Sequence, residues 1–107
     1  MRIRSSLTAL GILAGACAAV ADAQAVDCRS PRAAAEVEVC RDAVLRGLDG
    51  QMQEAYAAAL ARTDEKGRLA LQQQQSAWER DRNGCGNQVG CLRAIYPQRI
   101  DELTRFR

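Results

Sequence analysis

From residue 42 onward, apolar residues recur along the chain at steps of three and four. Leu45, Leu48, Met52, Tyr56 and Leu60, with Ala55 and Ala59 beside them, trace one face of a helix for about four turns. Asp42 stands where it can cap that helix. Gly47 and Gly50 each lower its intrinsic helicity by about 1 kcal/mol relative to Ala, so its stability has to come from packing. Thr63-Asp64-Glu65-Lys66-Gly67 interrupts the pattern with cap candidates and a glycine, the signature of a helix–helix turn. A third helix is expected from about Arg68 to Asn83, with Leu71, Gln75 and Trp78 inward and Gln72 to Gln75 as solvated or half-buried surface. Val89, Leu92, Tyr96, Ile100 and Leu103 predict a fourth helix. Pro97 should kink or divide it, because proline cannot donate to the carbonyl of Arg93. Upstream, Ser30-Pro31 reads as an N-cap followed by the first helical position, opening a short helix that runs to about Cys40.

The residues before this periodic region follow another rule. Arg2 and Arg4 precede an uncharged apolar run from Leu7 to Val20, too short to span a bilayer comfortably. The small-x-small triplets Ala21-Asp22-Ala23 and Ala23-Gln24-Ala25 come next. This is the layout of a secretory signal peptide, residues 1–23, with cleavage after Ala23 or Ala25 and a domain over 24–107. A lipoprotein alternative exists at Cys17, preceded by Leu13-Ala14-Gly15-Ala16, although the Leu lies one position too far upstream for a good lipobox. Membrane attachment is expected only if Cys17 is lipidated.

Composition narrows the chemistry. The chain has 107 residues, enough for one small domain, and no His. That excludes a Ser-His-Asp or Cys-His nucleophile pair, a His-containing zinc site and an imidazole pH switch. The apolar content is rich in Ala and poor in aromatic and β-branched residues, which favours helices over a sheet sandwich. Removal of residues 1–23 leaves 13 basic and 12 acidic residues, a balance of +1, and no electrostatic case for nucleic acid. It also leaves an even set of cysteines, Cys28, Cys40, Cys85 and Cys91, in an oxidising compartment.

Geometry orders the pairing of those four. In a continuous helix, Cys85 and Cys91 would have α-carbons about 9 Å apart, beyond the roughly 7 Å limit for a bridge. Gly84, Gly86 and Gly90 break such a helix and let a compact turn bring the sulfurs together. A Cys28–Cys40 bond would fold the leading segment back along the short helix. The expected fold is therefore all-α, a small disulfide-stapled bundle of one short N-terminal helix and three longer ones.

Little in this set can do catalysis. Glu79 and Asp81 point to different faces of a helix and Asp101 and Glu102 diverge, so neither pair converges on a substrate. The Cys-x5-Cys spacing lacks a zinc knuckle, and a C-x-x-C redox motif is missing, so neither metal nor cofactor is expected. Tyr56, Trp78 and Tyr96 lie on the apolar faces of the three long helices and are expected in the core. Asp49 is expected to meet the guanidinium of Arg82 or Arg99 in a buried or half-buried bridge. Glu36 is expected to partner a nearby backbone group or an Arg.

Taken in order, Asp27-Cys28, Glu36 four residues before Cys40, Leu45-x-x-Leu48-Asp49 and Tyr56 are followed by Gln75-x-x-Trp78-x-x-x-Arg82-x-x-Cys85. Then come Cys91-Leu92, Tyr96-x-x-Arg99-Ile100 and Leu103. This ordered set resembles the LprI-type lysozyme inhibitor family of small secreted bacterial proteins, over nearly all of residues 24–107. Glu79 directly after Trp78 and Pro97 inside the Tyr-x-x-Arg motif depart from the pattern. The resemblance implies a periplasmic or secreted, disulfide-bonded helical protein whose partner is lysozyme. The alternative is a general cell-envelope module, structural or stress-related, with another partner. For an inhibitor, the segment Gly86-Asn87-Gln88 is the expected contact. It is short, tethered at both ends, and Asn87 and Gln88 carry amides able to imitate an acetamido sugar.

Overall fold

The computed structural model describes residue 11 and residues 25–107. The basic start, the rest of the apolar run, Cys17 and the Ala23 cleavage position lie outside the described residues. Among those described are four helices and no strand: α1 (Ala34–Arg41), α2 (Ala43–Ala61), α3 (Glu65–Gly84) and α4 (Val89–Arg105). One short and three longer helices thus form an all-α bundle.

Three boundaries differ from the sequence reading, each for a local reason. Ser30-Pro31 does not start α1, whose N-cap is Ala33. Residues 27–30 form a turn instead, in which the Ser30 N–H donates to the Asp27 carbonyl and the Arg29 N–H to the Asp27 side chain. An aspartate that bonds the backbone two residues on competes with helix formation, and here the turn wins. α3 begins at Glu65, ahead of the expected Arg68. Asp64 caps it by accepting the Gly67 N–H at 2.9 Å, drawing Glu65 to Gly67 into the first turn. α4 runs through Pro97 undivided. Arg93 and Pro97 both lie on its exposed side, where solvent can reach the carbonyl that proline leaves without a donor. Asp42 does cap α2, accepting from the N–H groups of Val44 and Leu45.

The central relation is between α2 and α4, which lie side by side running in the same direction. Three polar contacts hold them in register. At their starts, Arg93 forms an ion pair with the α2 cap Asp42 at 2.9 Å. Near the middle, the Tyr96 hydroxyl donates to Asp49 at 2.9 Å. At their ends, the Arg62 guanidinium donates to the carbonyls of Leu103, Thr104 and Phe106, supplying the donors that the last turn of a helix lacks. Helix α3 carries the chain back from the end of α2 to the start of α4 and runs antiparallel to both. The apolar layers between these contacts are fully shielded, with Leu45, Met52, Leu71, Leu92, Tyr96 and Leu103 each at most 1 % exposed. Each such Leu contributes roughly 1.5–3 kcal/mol through burial. α1 closes one side with Ala35 and Val39.

Both disulfides join local pairs. Cys28–Cys40 has its α-carbons 5.5 Å apart and ties the leading turn to the end of α1. Cys85–Cys91, at 5.6 Å, closes the connection between α3 and α4. The combined substitution Cys28→Ser and Cys40→Ser should lower stability by about 2–5 kcal/mol in urea unfolding, as expected for loss of a native staple from a small domain. Gly47 lies inside α2 with open space where a Cβ would stand. Gly47→Ala should therefore raise stability by about 0.4–1 kcal/mol, read as a higher urea midpoint with unchanged slope.

Candidate functional site

The turn between α3 and α4 is a built projection. Gly86 takes φ +57°, a left-handed conformation that a Cβ would strain, and the Gln88 N–H closes the turn onto the Cys85 carbonyl. Cys85 is buried while Asn87 and Gln88 are exposed, so the disulfide anchors the turn from below and leaves both amides in solvent. Their side chains are thus presented on a backbone fixed at both ends.

Behind the turn, α3 and α4 border an open groove of about 340 Å³ lined by Gln74, Trp78, Asp81, Gln98, Arg99 and Glu102, among others. Its floor is polar in an unusual way. Arg99 is buried, with its Nε donating to Gln75 at 2.9 Å and its Nη1 to Glu102 at 3.1 Å. Its Nη2 and the Trp78 Nε1 are buried donors with no acceptor among the described residues. The Gln75 amide in turn points its N–H at the Met52 sulfur, so one polar thread crosses α4, α3 and α2 inside the apolar core. Sequence reading missed the Arg99–Gln75 pair. The signal was there: Gln75 lies between Leu71 and Trp78, and Arg99 between Tyr96 and Leu103, all at inward spacing.

A second polar layer surrounds Asp49, which is 5 % exposed. The expected bridge from Asp49 to Arg82 or Arg99 does not form. Asp49 accepts from the Tyr96 hydroxyl and from the Val26 N–H at 3.0 Å, while Arg99 is committed to Gln75 and Glu102. Arg82 lies over the Trp78 ring, 5.6 Å from its centroid, and donates to Asn83. Trp78 meets Tyr96 edge-on, with centroids 5.1 Å apart. Tyr56 is buried in the same core. Burial, and then the Asp49 charge, push the Tyr96 hydroxyl far above its ordinary value against the pull of Arg82, so it stays a proton donor to Asp49.

Glu36 also departs from expectation, making no ion pair among the described residues. It lies near Glu79 instead. Glu79 is half-buried, and desolvation raises its carboxyl first, with Glu36 and Asp49 adding like charge and Arg82 opposing them. Asp101 pairs with Arg105 at 3.2 Å and Glu102 with Arg99. No cluster of three or more potential ligands that could hold a metal occurs among the described residues, and no helix there is long and apolar enough to cross a membrane.

The site thus consists of an exposed turn tethered by a disulfide and an open groove on α3 and α4, carried on a small helical scaffold. Residues 28–103 match the family model described as lysozyme inhibitor LprI, and the chain belongs to that family. It is 31 % identical over 84 residues to the proteins called lipoprotein LprI from Mycobacterium tuberculosis (strain ATCC 25618 / H37Rv) and Mycobacterium bovis (strain ATCC BAA-935 / AF2122/97). The aligned region is 76 % of this chain and 41 % of each relative, so the chain spans about two fifths of the curated relatives it matches. No solved structure shows a significant match.

The raised Glu79 carboxyl has a measurable consequence. A fold that raises a carboxyl binds its proton more tightly than the unfolded chain does. The stability linked to Glu79 is therefore present below the ordinary Glu value of about 4.3 and is lost as pH rises through the higher folded value. Glu79→Gln removes that loss. The variant should be more stable than the parent at pH 7, with the difference vanishing below about pH 4 in urea titrations at the two pH values.

Proposed function

We propose that this protein is a non-catalytic binding protein of the cell exterior that blocks a lysozyme by direct contact. Membership in a family described as lysozyme inhibitors carries the reading. The two disulfides fit an oxidising, extracytoplasmic compartment. Periplasmic or secreted release after removal of the leader is the localisation we infer. The description of the relatives as lipoproteins supports the alternative of an anchor at Cys17.

The contact we propose is the turn Gly86-Asn87-Gln88. A glycosidase of this kind needs an open groove for a sugar chain and two carboxylates to cleave it, so a rigid polar projection that fills the groove is sufficient to stop it. Rigidity matters because ordering a loop on binding subtracts from affinity, and the Cys85–Cys91 bridge has already ordered this one. Exposed primary amides on Asn87 and Gln88 can replace the hydrogen bonds of an acetamido group.

The second reading, a general envelope module with another partner, rests on the distance of the relatives, which are 31 % identical over 84 residues. Lysozyme turnover of cell-wall substrate with added mature protein separates the two. Under the inhibitor reading, Asn87→Ala combined with Gln88→Ala weakens inhibition tenfold or more, on the order of 1.4 kcal/mol, with unchanged thermal midpoint. Undiminished inhibition by the double variant moves the contact to the groove between α3 and α4. Failure of the parent protein to inhibit any lysozyme type selects the envelope module.

A further inference from the structure

Asp49 is a buried carboxylate with no ion-pair partner among the described residues. Its surroundings are short of positive charge. Glu79 and Arg82 come from α3 and the neutral Tyr96 hydroxyl from α4, so two carboxylates, Asp49 and Glu79, share one guanidinium, and Glu36 of α1 adds its negative charge at Glu79. The excess is felt at Glu79, whose carboxyl Glu36 and Asp49 push further upward. A buried carboxylate in such company costs free energy unless a cation is supplied close by.

The nearest group that could become one is the Val26 nitrogen, 3.0 Å from Asp49 Oδ2. Val26 packs its side chain against the core, which fixes that nitrogen in place, whereas Ala25 is exposed. Val26 also directly follows Ala23-Gln24-Ala25, one of the two small-x-small triplets. Hydrolysis of the Ala25–Val26 bond by a leader-removing protease consumes one water. It leaves a carboxylate on Ala25 and an amine on Val26, which takes up a proton at neutral pH. The nitrogen that was an amide donor to Asp49 becomes a cation at the same position, and nothing in the interior is lost with Ala25.

We infer that the leader is removed between Ala25 and Val26 and that the new α-ammonium group of Val26 is the counter-ion of buried Asp49. The inference rests on the export reading above and adds a function for the processed terminus: maturation completes the polar core. Ordinary α-amino groups titrate near pH 7.7–8.0, and pairing with a carboxylate raises the folded value. The stabilisation is therefore complete below about pH 7.7 and is lost as pH rises through the folded value.

The test compares purified chains that begin at Val26 and at Gln24. The Val26 chain should melt several degrees higher at pH 6, the gap should close at pH 10, and Asp49→Asn should abolish it. Equal melting at pH 6 overturns the ion pair and leaves the export reading standing. Should Asp49→Asn fail to fold, the α-amino titration of the Val26 chain, followed by the pH dependence of its acylation, decides: a midpoint well above 8 supports the pair and one at or below 8 overturns it. Intact mass of the exported protein tests the cleavage separately. A chain beginning at Val26 supports it, and one beginning at Gln24 overturns it. Retention of residue 1 overturns both this inference and the export reading.

Discussion

A carboxylate held almost entirely away from water has to be hydrogen-bonded, and Asp49 meets that demand by reaching across the bundle. One oxygen takes the Tyr96 hydroxyl of α4 and the other takes the Val26 N–H of the leading segment. A single side chain on α2 therefore sets the register of α4 and docks the segment that precedes Cys28. Tyr96 in turn presents its ring to the edge of Trp78, over which Arg82 lies, so α3 is positioned through the same residue. Had the Tyr96 hydroxyl ionised readily, two anions would face each other in this layer. Burial keeps it protonated and keeps the donor in place.

The second polar layer, Arg99 with Gln75 and Glu102, serves a similar end by a different route. Arg99 uses its planar fork to join α3 and its own helix, leaving its Nη2 buried without an acceptor among the described residues. Two polar layers separated by fully buried Leu and Met residues give the bundle a specific register that a purely apolar seam would leave loosely defined. Parallel packing of α2 and α4 depends on that register, because no short loop connects them directly. The Asp42–Arg93 pair and the Arg62 contacts with the end of α4 fix the two extremities. The Asp42 carboxyl is held below its usual range chiefly by the Leu45 N–H, with Arg93 and the Val44 N–H assisting, so it remains an acceptor over the whole neutral range.

The surface with functional promise lies on α3, α4 and the turn that joins them. The Cys85–Cys91 bridge turns a glycine-rich connection into a fixed projection, and the groove on α3 and α4 has Trp78 and Arg99 among its lining residues. The turn does not belong to the part of the core that sets register, whereas the groove borders the Arg99 layer. Substitution at Asn87 and Gln88, both exposed, therefore does not reach the Asp49 layer.

Helix count, the three long apolar faces, the Asp42 cap and the local disulfide pairs followed from the sequence, because each depends on spacing within a few residues along the chain. Helix periodicity places Leu45, Met52 and Tyr56 on one side whatever the partner turns out to be. The start of α1 escaped that reasoning, since Asp27 and Ser30 could equally form a cap or a turn, and the choice falls to the packing of Val26 and the Cys28 bridge. The partner of Asp49 escaped it for a deeper reason. Asp49, Arg82 and Arg99 all lie at inward positions, so charge alone suggested a bridge. Which inward groups meet depends on the relative rotation and stagger of three helices. That geometry gave Asp49 to Tyr96 and Val26, Arg99 to Gln75, and Arg82 to the face of Trp78. Intrahelical spacing is encoded locally and can be read from one segment, whereas a buried hydrogen bond across helices is a joint property of segments 23 to 47 residues apart, settled only when they pack.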